Sequence, residues 1–373
     1  MRMNETDEPA RESGADDSDR VLADLTDGET PEDEPIRRHR RRRRILIGLG
    51  VAVLVLLLLV GGGVWYVTDR YAGNVERLGD VFADIPDDSR PAPASPTASG
   101  VDGEPVTFLL IGSDTRESTP EGVAPGARSD AIMIARIGAD RQHAQLISIP
   151  RDSWVDIPGY GLNKINASYA FGGPALLIQT VEQLTGVRID HFVAIDFEGL
   201  ADVTDALGGV DVVVARTTVN NGHTFEAGVN HITGEDVRWY LGQRYGLPGG
   251  DFDRVKRQQQ FLKAVMNQLI SSGTFSDLGR LDRTLRAVGG SVAVDDELGN
   301  TEMLSLAYSM RNVDEGGVDY FTMPDAGTGM EGPASVVYVN ENVAQSMWEY
   351  LRTDSLGANA EEFAEYRLGD QPR

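Results

Sequence analysis

The longest uncharged stretch of the chain is residues 45–67, ILIGLGVAVLVLLLLVGGGVWYV, 23 residues without an acidic or basic side chain. As a helix, such a run spans about 30 Å, the thickness of a bilayer core. The pattern therefore predicts a single N-terminal transmembrane helix. A cleaved signal peptide has an apolar core of only about 7–15 residues, and no small-residue cleavage site follows Val67, so the span is read as a retained anchor. Trp65 and Tyr66 close it, where amphipathic rings favour the membrane interface. RRHRRRRR at 37–44 directly precedes it, which predicts a cytoplasmic N-terminus and an extracellular location for everything after residue 67.

Beyond the span the periodicity shortens. VTFLLIGSD (106–114), AIMIARI (131–137), AQLISI (144–149), HFVAIDF (191–197) and VDVVVA (210–215) are apolar runs bounded by turn residues and predict strands. YFTMP (320–324) and SVVYVN (335–340) predict two more. Ala175, Leu177, Ile178 and Val181 fall at helical spacing and predict a helix over 174–183, closed by Gly186. GLADVTDAL (199–207) predicts a helix stopped by Gly208–Gly209, and further helices are expected near 233–242, over 251–270 and over 341–351. Strands interspersed with helices predict an α/β fold, a layered αβα ectodomain around one mixed central sheet. The domains follow: 1–44, disordered and acidic and then Arg-rich; 45–67, the membrane helix; 68–105, a stalk and Pro/Ala/Ser-rich linker; 106–355, the catalytic domain; 356–373, a loose tail.

Charge sharpens this picture. The formal net charge is −24, and residues 1–36 hold thirteen acidic residues against three arginines. That segment is read as disordered, and so acidic a chain is a poor partner for nucleic acid. Cysteine is absent, which excludes disulfide staples, thiolate metal sites and cysteine nucleophiles. No HExxH, G-x-S-x-G or Walker A sequence occurs, and GTGMEG (327–332) is followed by Pro333 and a strand-like run rather than a helix, so it is read as a hairpin loop.

The remaining chemistry is aspartates and arginines at strand ends. Asp114 and Arg116 follow the first strand, and Arg128 and Asp130 precede the second. Ligand sites of open α/β sheets form at such ends, and two converging carboxylates suit a hard cation, Mg²⁺ or Mn²⁺. On spacing alone, two ordinary turn aspartates remain the alternative. Arg151 and Asp152 follow the third strand, and Lys164 lies in GLNKINASY. In GQRYGLPGGDFDRVKRQQQ (242–260) a Gly/Pro loop leads into a helix on which Arg254, Arg257 and Gln258 share one face. Phe261 and Val265 continue that stripe. A solvated polar turn is the alternative, but arginines on a face due for burial need anionic partners, and guanidinium forks suit phosphate. Metal-holding aspartates beside phosphate-holding arginines are the parts of a phosphoryl-transfer site. Outside a membrane, the expected substrate is a lipid-borne pyrophosphate rather than ATP.

FLLIGSDTR, ARSDAIMI, SIPRDSWV, NKINASYAFGG, DALGGVDV and LPGGDFDRVKRQQ, in this order across about residues 105–350, resemble the LytR–CpsA–Psr family of cell-envelope enzymes. The resemblance implies a single-span phosphotransferase that moves a glycopolymer from a polyprenyl-pyrophosphate carrier to peptidoglycan, with membrane lipid as the third partner. It implies magnesium at Asp114 and Asp130, and catalytic roles for Asp114, Asp130 and Arg151. It also implies pyrophosphate contacts from Arg128, Arg151, Lys164, Arg244, Arg254 and Gln258, and an apolar tunnel for the polyprenyl tail between sheet and helices. A lipid pyrophosphatase and a non-catalytic lipid-pyrophosphate binder are the rival readings. One departure stands out: Gly242 occupies the place of the first arginine of the family's Arg-x-Arg pair, and Arg238, one helical turn earlier, is the candidate replacement.

Overall fold

The computed structural model describes residues 75–93, 103–113, 118–119, 122–123, 129–271, 278–310, 313 and 316–369. The expected membrane helix at 45–67 and the acidic and Arg-rich segments before it lie outside these residues, as do Asp114 and Arg128. Among the described residues no helix is long and apolar enough to cross a membrane.

In chain order the strands are β1 Glu76–Arg77, β2 Val106–Ser113, β3 Ser118–Thr119, β4 Gly122–Val123, β5 Ser129–Ile137, β6 Ala144–Ile149, β7 Trp154–Ile157, β8 Gly161–Lys164, β9 His191–Asp196, β10 Val210–Val214, β11 Thr218–Asn220, β12 His223–Phe225, β13 Gly228–Ile232, β14 Val292–Val294, β15 Val318–Thr322, β16 Asp325–Glu331 and β17 Ala334–Val339. The helices are α1 Ile165–Thr185, α2 Phe197–Leu207, α3 Gly234–Leu241, α4 Asp251–Ser271, α5 Leu278–Ser291, α6 Asn300–Ser309 and α7 Glu341–Arg352. Seven strands form one mixed sheet in the order β1-β14-β9-β2-β5-β6-β15. Within it β2 and β9 are parallel, β5 runs antiparallel between β2 and β6, and β15 is parallel to β6.

Strand side chains alternate between faces. Leu109, Ile111, Ile134, Ile147 and Phe192 pack with Leu177, Val181, Met347 and Trp348 of α1 and α7. Phe108, Leu110, Ile137 and Val193 meet Met303 and Leu306 of α6 on the opposite face. This is the expected helix–sheet–helix layering. A separate cluster joins α2, α3 and α4 to the β10–β13 pair through Leu207, Val212, Tyr240 and Phe261.

The structure corrects several expectations. The helix expected from Pro174 is the second half of α1, which starts at Ile165 and breaks at Gly172–Gly173. Gly173 takes φ 62° and ψ −154°, a conformation essentially confined to glycine, and Pro174 restarts the helix where a missing N–H costs nothing. The stalk expected over 68–105 gives way, over 75–93, to part of the domain. There β1 pairs with β14, Val81, Phe82 and Ile85 are buried, and Arg90 pairs with Glu182 at 2.8 Å. The β1 edge is fixed further by Arg77, which donates to the carbonyl oxygens of Asp295 and Leu298 and to Asn300 Oδ1. The tail after 355 is not loose: Leu356, Ala360 and Phe363 are buried around a short 3-10 turn. The Leu368 N–H donates to the Tyr320 carbonyl oxygen at 2.8 Å. GTGMEG lies mostly within β16, and the hairpin turns at Gly332 instead.

Candidate functional site

The sheet register brings the expected residues to one end. Ser113, last in β2, pairs with Ser129, first in β5, so Asp130 sits at that end. β6 runs parallel to β2's direction and delivers Arg151 there, two residues beyond Ile149. Helix α4 crosses the same end, pinned by Gln259, whose Nε2 donates to Ser148 Oγ at 2.9 Å and to the Phe321 carbonyl oxygen at 2.6 Å. The first turn of α4 therefore faces Asp130 and Arg151.

A four-residue ion cluster results. Arg151 Nη1 donates to Asp130 Oδ1. Arg254 reaches the same Oδ1 at 3.5 Å and the Asp130 carbonyl oxygen at 3.3 Å. Its Nη2 lies 2.7 Å from Asp251 Oδ1, and Arg151 Nε lies 3.7 Å from that atom. Arg254 is 1% exposed and Arg151 8%, so these charges are largely taken from water and depend on one another. Burial pushes the Arg254 guanidinium below its ordinary value; Asp251 and Asp130 oppose that shift, and the positive charges of Arg151 and Arg244 add to it. The cluster is not self-sufficient. Arg151 Nε, Arg254 Nε and both Asp251 carboxylate oxygens are buried without a hydrogen bond; an anion at the guanidinium edges would accept from the two Nε–H groups, while the Asp251 oxygens call for a donor or a cation.

Beside the cluster opens an apolar cavity of about 210 Å³ between the sheet and helices α2 and α4. Leu110, Val193, Leu200, Phe261 and Leu262 form its walls, and Asp130 and Gln258 supply its polar rim. It is smaller than the roughly 300–1,000 Å³ of a site enclosing a drug-sized ligand, and suits one end of a longer apolar chain.

The other expected residues divide. Gln258 is buried at the cavity rim, as the shared helix face predicts. Arg257, on that same face, turns away: it donates to Gln243 Oε1 at 2.7 Å and Thr218 Oγ1 at 2.8 Å and stacks 4.9 Å from the Tyr240 ring centroid. Lys164 stands next to the site but is held by Asp152 at 2.9 Å, so its ammonium is not among the cluster's cations. Arg244 is exposed and reaches Arg254 through its field alone. Asp251 belongs to the cluster although its sequence position marked it only as a first-turn carboxylate; the Asp-x-x-Arg spacing to Arg254 is the signal that finds it. Gly242 ends α3, where a Cβ would lie 2.7 Å from the Arg238 carbonyl oxygen. Arg238 does not take the missing arginine's place, since it is exposed and lies over Trp239 at 5.8 Å.

For a hard cation, the described donor set is carboxylate oxygen: Asp130, and the Asp251 oxygens that accept no hydrogen bond. Among the described residues no group of three acidic, His or Cys side chains gathers. Two carboxylates are a donor chemistry that suits Mg²⁺ where water and phosphate complete its shell.

Comparison with known proteins places the chain among relatives. The LytR_cpsA_psr family model matches residues 83–353. The chain is 33% identical over 255 residues to the polyisoprenyl-teichoic acid–peptidoglycan teichoic acid transferase TagU of Bacillus mycoides, a match covering 68% of this chain and 80% of that protein. It is 31% identical over 286 residues to the cell wall biosynthesis protein LcpA of Corynebacterium glutamicum, covering 65% of this chain and about half, 54%, of that longer protein. The crystal structure of TagV from B. subtilis is similar at a TM-score of 0.55 with 25% identity, covering 70% of this chain and 98% of TagV. On a family model that covers most of its length and a relative one third identical, the chain belongs to the LytR–CpsA–Psr family.

Proposed function

We propose that this protein is a phosphotransferase, anchored by residues 45–67 with its catalytic domain outside the membrane. It moves an anionic glycopolymer from a polyprenyl-pyrophosphate carrier to peptidoglycan. The observation that carries this reading is the adjoining of an apolar cavity and a buried Arg–Asp cluster through Asp130, which lines the one and pairs within the other. A molecule with a hydrocarbon tail joined to a pyrophosphate matches both halves. The name of the Bacillus mycoides relative, a transferase of polyisoprenyl-linked teichoic acid to peptidoglycan, supports the same substrate class.

In this reading the first isoprene units enter between Leu200, Phe261 and Val193, and the pyrophosphate meets the guanidinium edges of Arg151 and Arg254. Asp130 holds both guanidiniums before substrate arrives, so little reorganisation accompanies the development of charge at the phosphate. A sugar hydroxyl of peptidoglycan attacks the phosphorus that bears the glycopolymer. The new P–O bond forms, the bond to the polyprenyl phosphate breaks, and that phosphate leaves on the arginines. Asp130 is occupied by two guanidiniums, so Asp114, next in sequence to the strand end opposite, is the candidate acceptor of the hydroxyl proton. Asp114 and Asp130, with Asp251 linked to Asp130 through Arg254, would hold Mg²⁺ or Mn²⁺, which would neutralise phosphate charge.

Detergent-solubilised full chain, given lipid-pyrophosphate-linked glycopolymer and peptidoglycan, is expected to yield a covalent polymer–peptidoglycan adduct. Release of polymer phosphate without an adduct would make the protein a lipid pyrophosphatase and refute the transferase reading.

A further inference from the structure

On the side of α4 away from Arg254 lies a second, larger cavity of about 560 Å³. One wall is the outer face of α4, with Phe252, Lys256 and Gln260; the others come from the end of β15 at Thr322, from the Arg216 and Thr218 region, and from the ordered C-terminal segment at Tyr366–Leu368. The reaction residues described above do not line it. Its composition is unlike that of the apolar cavity. Phe252 and Tyr366 contribute aromatic rings and Gln260 an amide, while Gln259, Thr322 and Thr218 form a wall already bonded to Ser148, Phe321 and Arg257. Rings that cover C–H faces and amides that meet hydroxyls are what a sugar chain presents a need for.

Two features ask for a ligand. Arg216 and Lys256 carry no ion pair or hydrogen bond among the described residues, whereas the neighbouring Arg257 and Arg367 are engaged by Gln243 and Thr218 and by Asp319. Tyr240, which forms part of the wall, has its hydroxyl buried with no hydrogen-bond partner. Two open cations suit carboxylates, and acidic Glu365 and Asp325 on the same lining suit an amine. A glycan that bears peptide stems combines all of these groups.

Placement supplies the rest. Thr322 pairs with Ser148, so the end of β15 lies at the same sheet end as Asp130 and Arg151, with α4 bonded there to β6 and β15 through Gln259. A helix with side chains is about 10–12 Å across, and the Gly249–Asp251 turn joins the two sides, since Gly249 lines the cavity and Asp251 sits in the ion cluster. The apolar cavity lies on the β2–β9 side of that cluster and the larger one on the β15 side. In phosphoryl transfer the attacking and leaving oxygens are roughly in line, so an acceptor approaches from the side opposite the lipid. Resting on the proposed transferase reading, we infer that the 560 Å³ cavity is the docking site for the acceptor, a peptide-bearing peptidoglycan strand.

The test uses the full chain in detergent and soluble peptidoglycan strands carrying stem peptides. Binding is measured by calorimetry and transfer by adduct formation at varied acceptor and varied donor. Arg216→Glu/Lys256→Glu and Phe252→Ala are expected to raise the acceptor's Kd and KM about tenfold or more, the size of one lost charged contact, with the donor's KM unchanged. Peptide-free strands of the same length should bind the wild type weakly and be indifferent to the charge reversal. Acceptor Kd and KM unchanged in both folded variants, while wild-type transfer proceeds, would overturn the docking site and leave the transferase reading standing. Variant-sensitive strand binding in a protein that only hydrolyses the donor would keep the glycan site and refute its role as an acceptor site.

Discussion

Replacing Arg254 with methionine tests whether the ion cluster is an interdependent unit. Met keeps much of the stem volume and removes the guanidinium that reaches Asp130 and Asp251. Asp251 then has no cation nearer than Arg151 Nε at 3.7 Å, and its buried oxygens already lack hydrogen bonds. Removing one member of a buried pair costs about 3–5 kcal/mol. Asp130 retains Arg151, so a single carboxylate, Asp251, is stranded, which places the expected loss at the low end of that range, near 3 kcal/mol. With an m-value of about 3 kcal/mol/M for a domain of this size, the urea midpoint should fall by about 1 M. Unfolding of the detergent-solubilised chain can be followed by the fluorescence of Trp348, buried in the main core. Adding Asp251→Asn removes the stranded charge and should recover about 1–2 kcal/mol of the loss as a coupling energy. On the proposed transferase reading, transfer should stay low in both variants, about 10²–10³-fold down, because each lacks the guanidinium assigned to the phosphate. A loss below about 1 kcal/mol in Arg254→Met, with no recovery in the double variant, would refute the idea that burial makes these residues a unit.

Other expectations follow from the same coordinates. Leu200→Trp, placed in the wall of the apolar cavity, should abolish retention of polyprenyl phosphate through purification, read by mass spectrometry, while the thermal midpoint changes little. Gly242→Arg should not restore a family-like site. Its Cβ would meet the Arg238 carbonyl oxygen, so the variant should lose about 1–3 kcal/mol in urea unfolding with no gain in turnover. His191 lies 3.4 Å from Asp295 and 3.8 Å from Glu302. Burial alone would lower its pKa, but the hydrogen bond and charge of Asp295, with Glu302 and Asp190, raise it above 6.5. That stabilisation is full below pH 6.5 and is lost as pH rises through the raised value. Asp295 behaves oppositely: burial works upward, but the bonds from His191 and from the Phe192 and Leu298 N–H groups hold it below 3.8, so its share is lost only as pH falls through that lower value. Urea midpoints measured from about pH 5 to about pH 9 should decline on the alkaline side, and His191→Gln should flatten the decline.

The legible parts of the fold are those whose neighbours matter least. β2 and β9 are covered on both faces, which leaves nearly unbroken apolar runs. β1 is two residues, Glu-Arg, and exists only because β14, more than two hundred residues later, offers it an edge. The anchors of the C-terminal segment, Leu356, Ala360 and Phe363, are spaced among acidic residues that mask them. The site divides along the same line. Arg254 and Gln258 were readable because an i, i+4 pair continues into the Phe261 stripe. The Lys164–Asp152 pair was not readable, because it is set by a hairpin register, Trp154 opposite Lys164, that no local pattern announces. Arg257 shares the face of Arg254, yet the hydroxyl of Thr218, 39 positions earlier, draws it elsewhere. Asp114 and Arg128 fall outside the described residues, and their roles rest on the proposal.

Arg77 has a mechanical consequence. The chain passes into the sheet at residue 76 through two paired residues, an attachment that would peel apart under tension if backbone pairing were its only hold. Arg77 spreads that hold over the Asp295 and Leu298 carbonyl oxygens and Asn300 at the start of α6. A force applied at residue 76 is thereby shared between a strand edge and a helix end before it can distort the ion cluster several strands away.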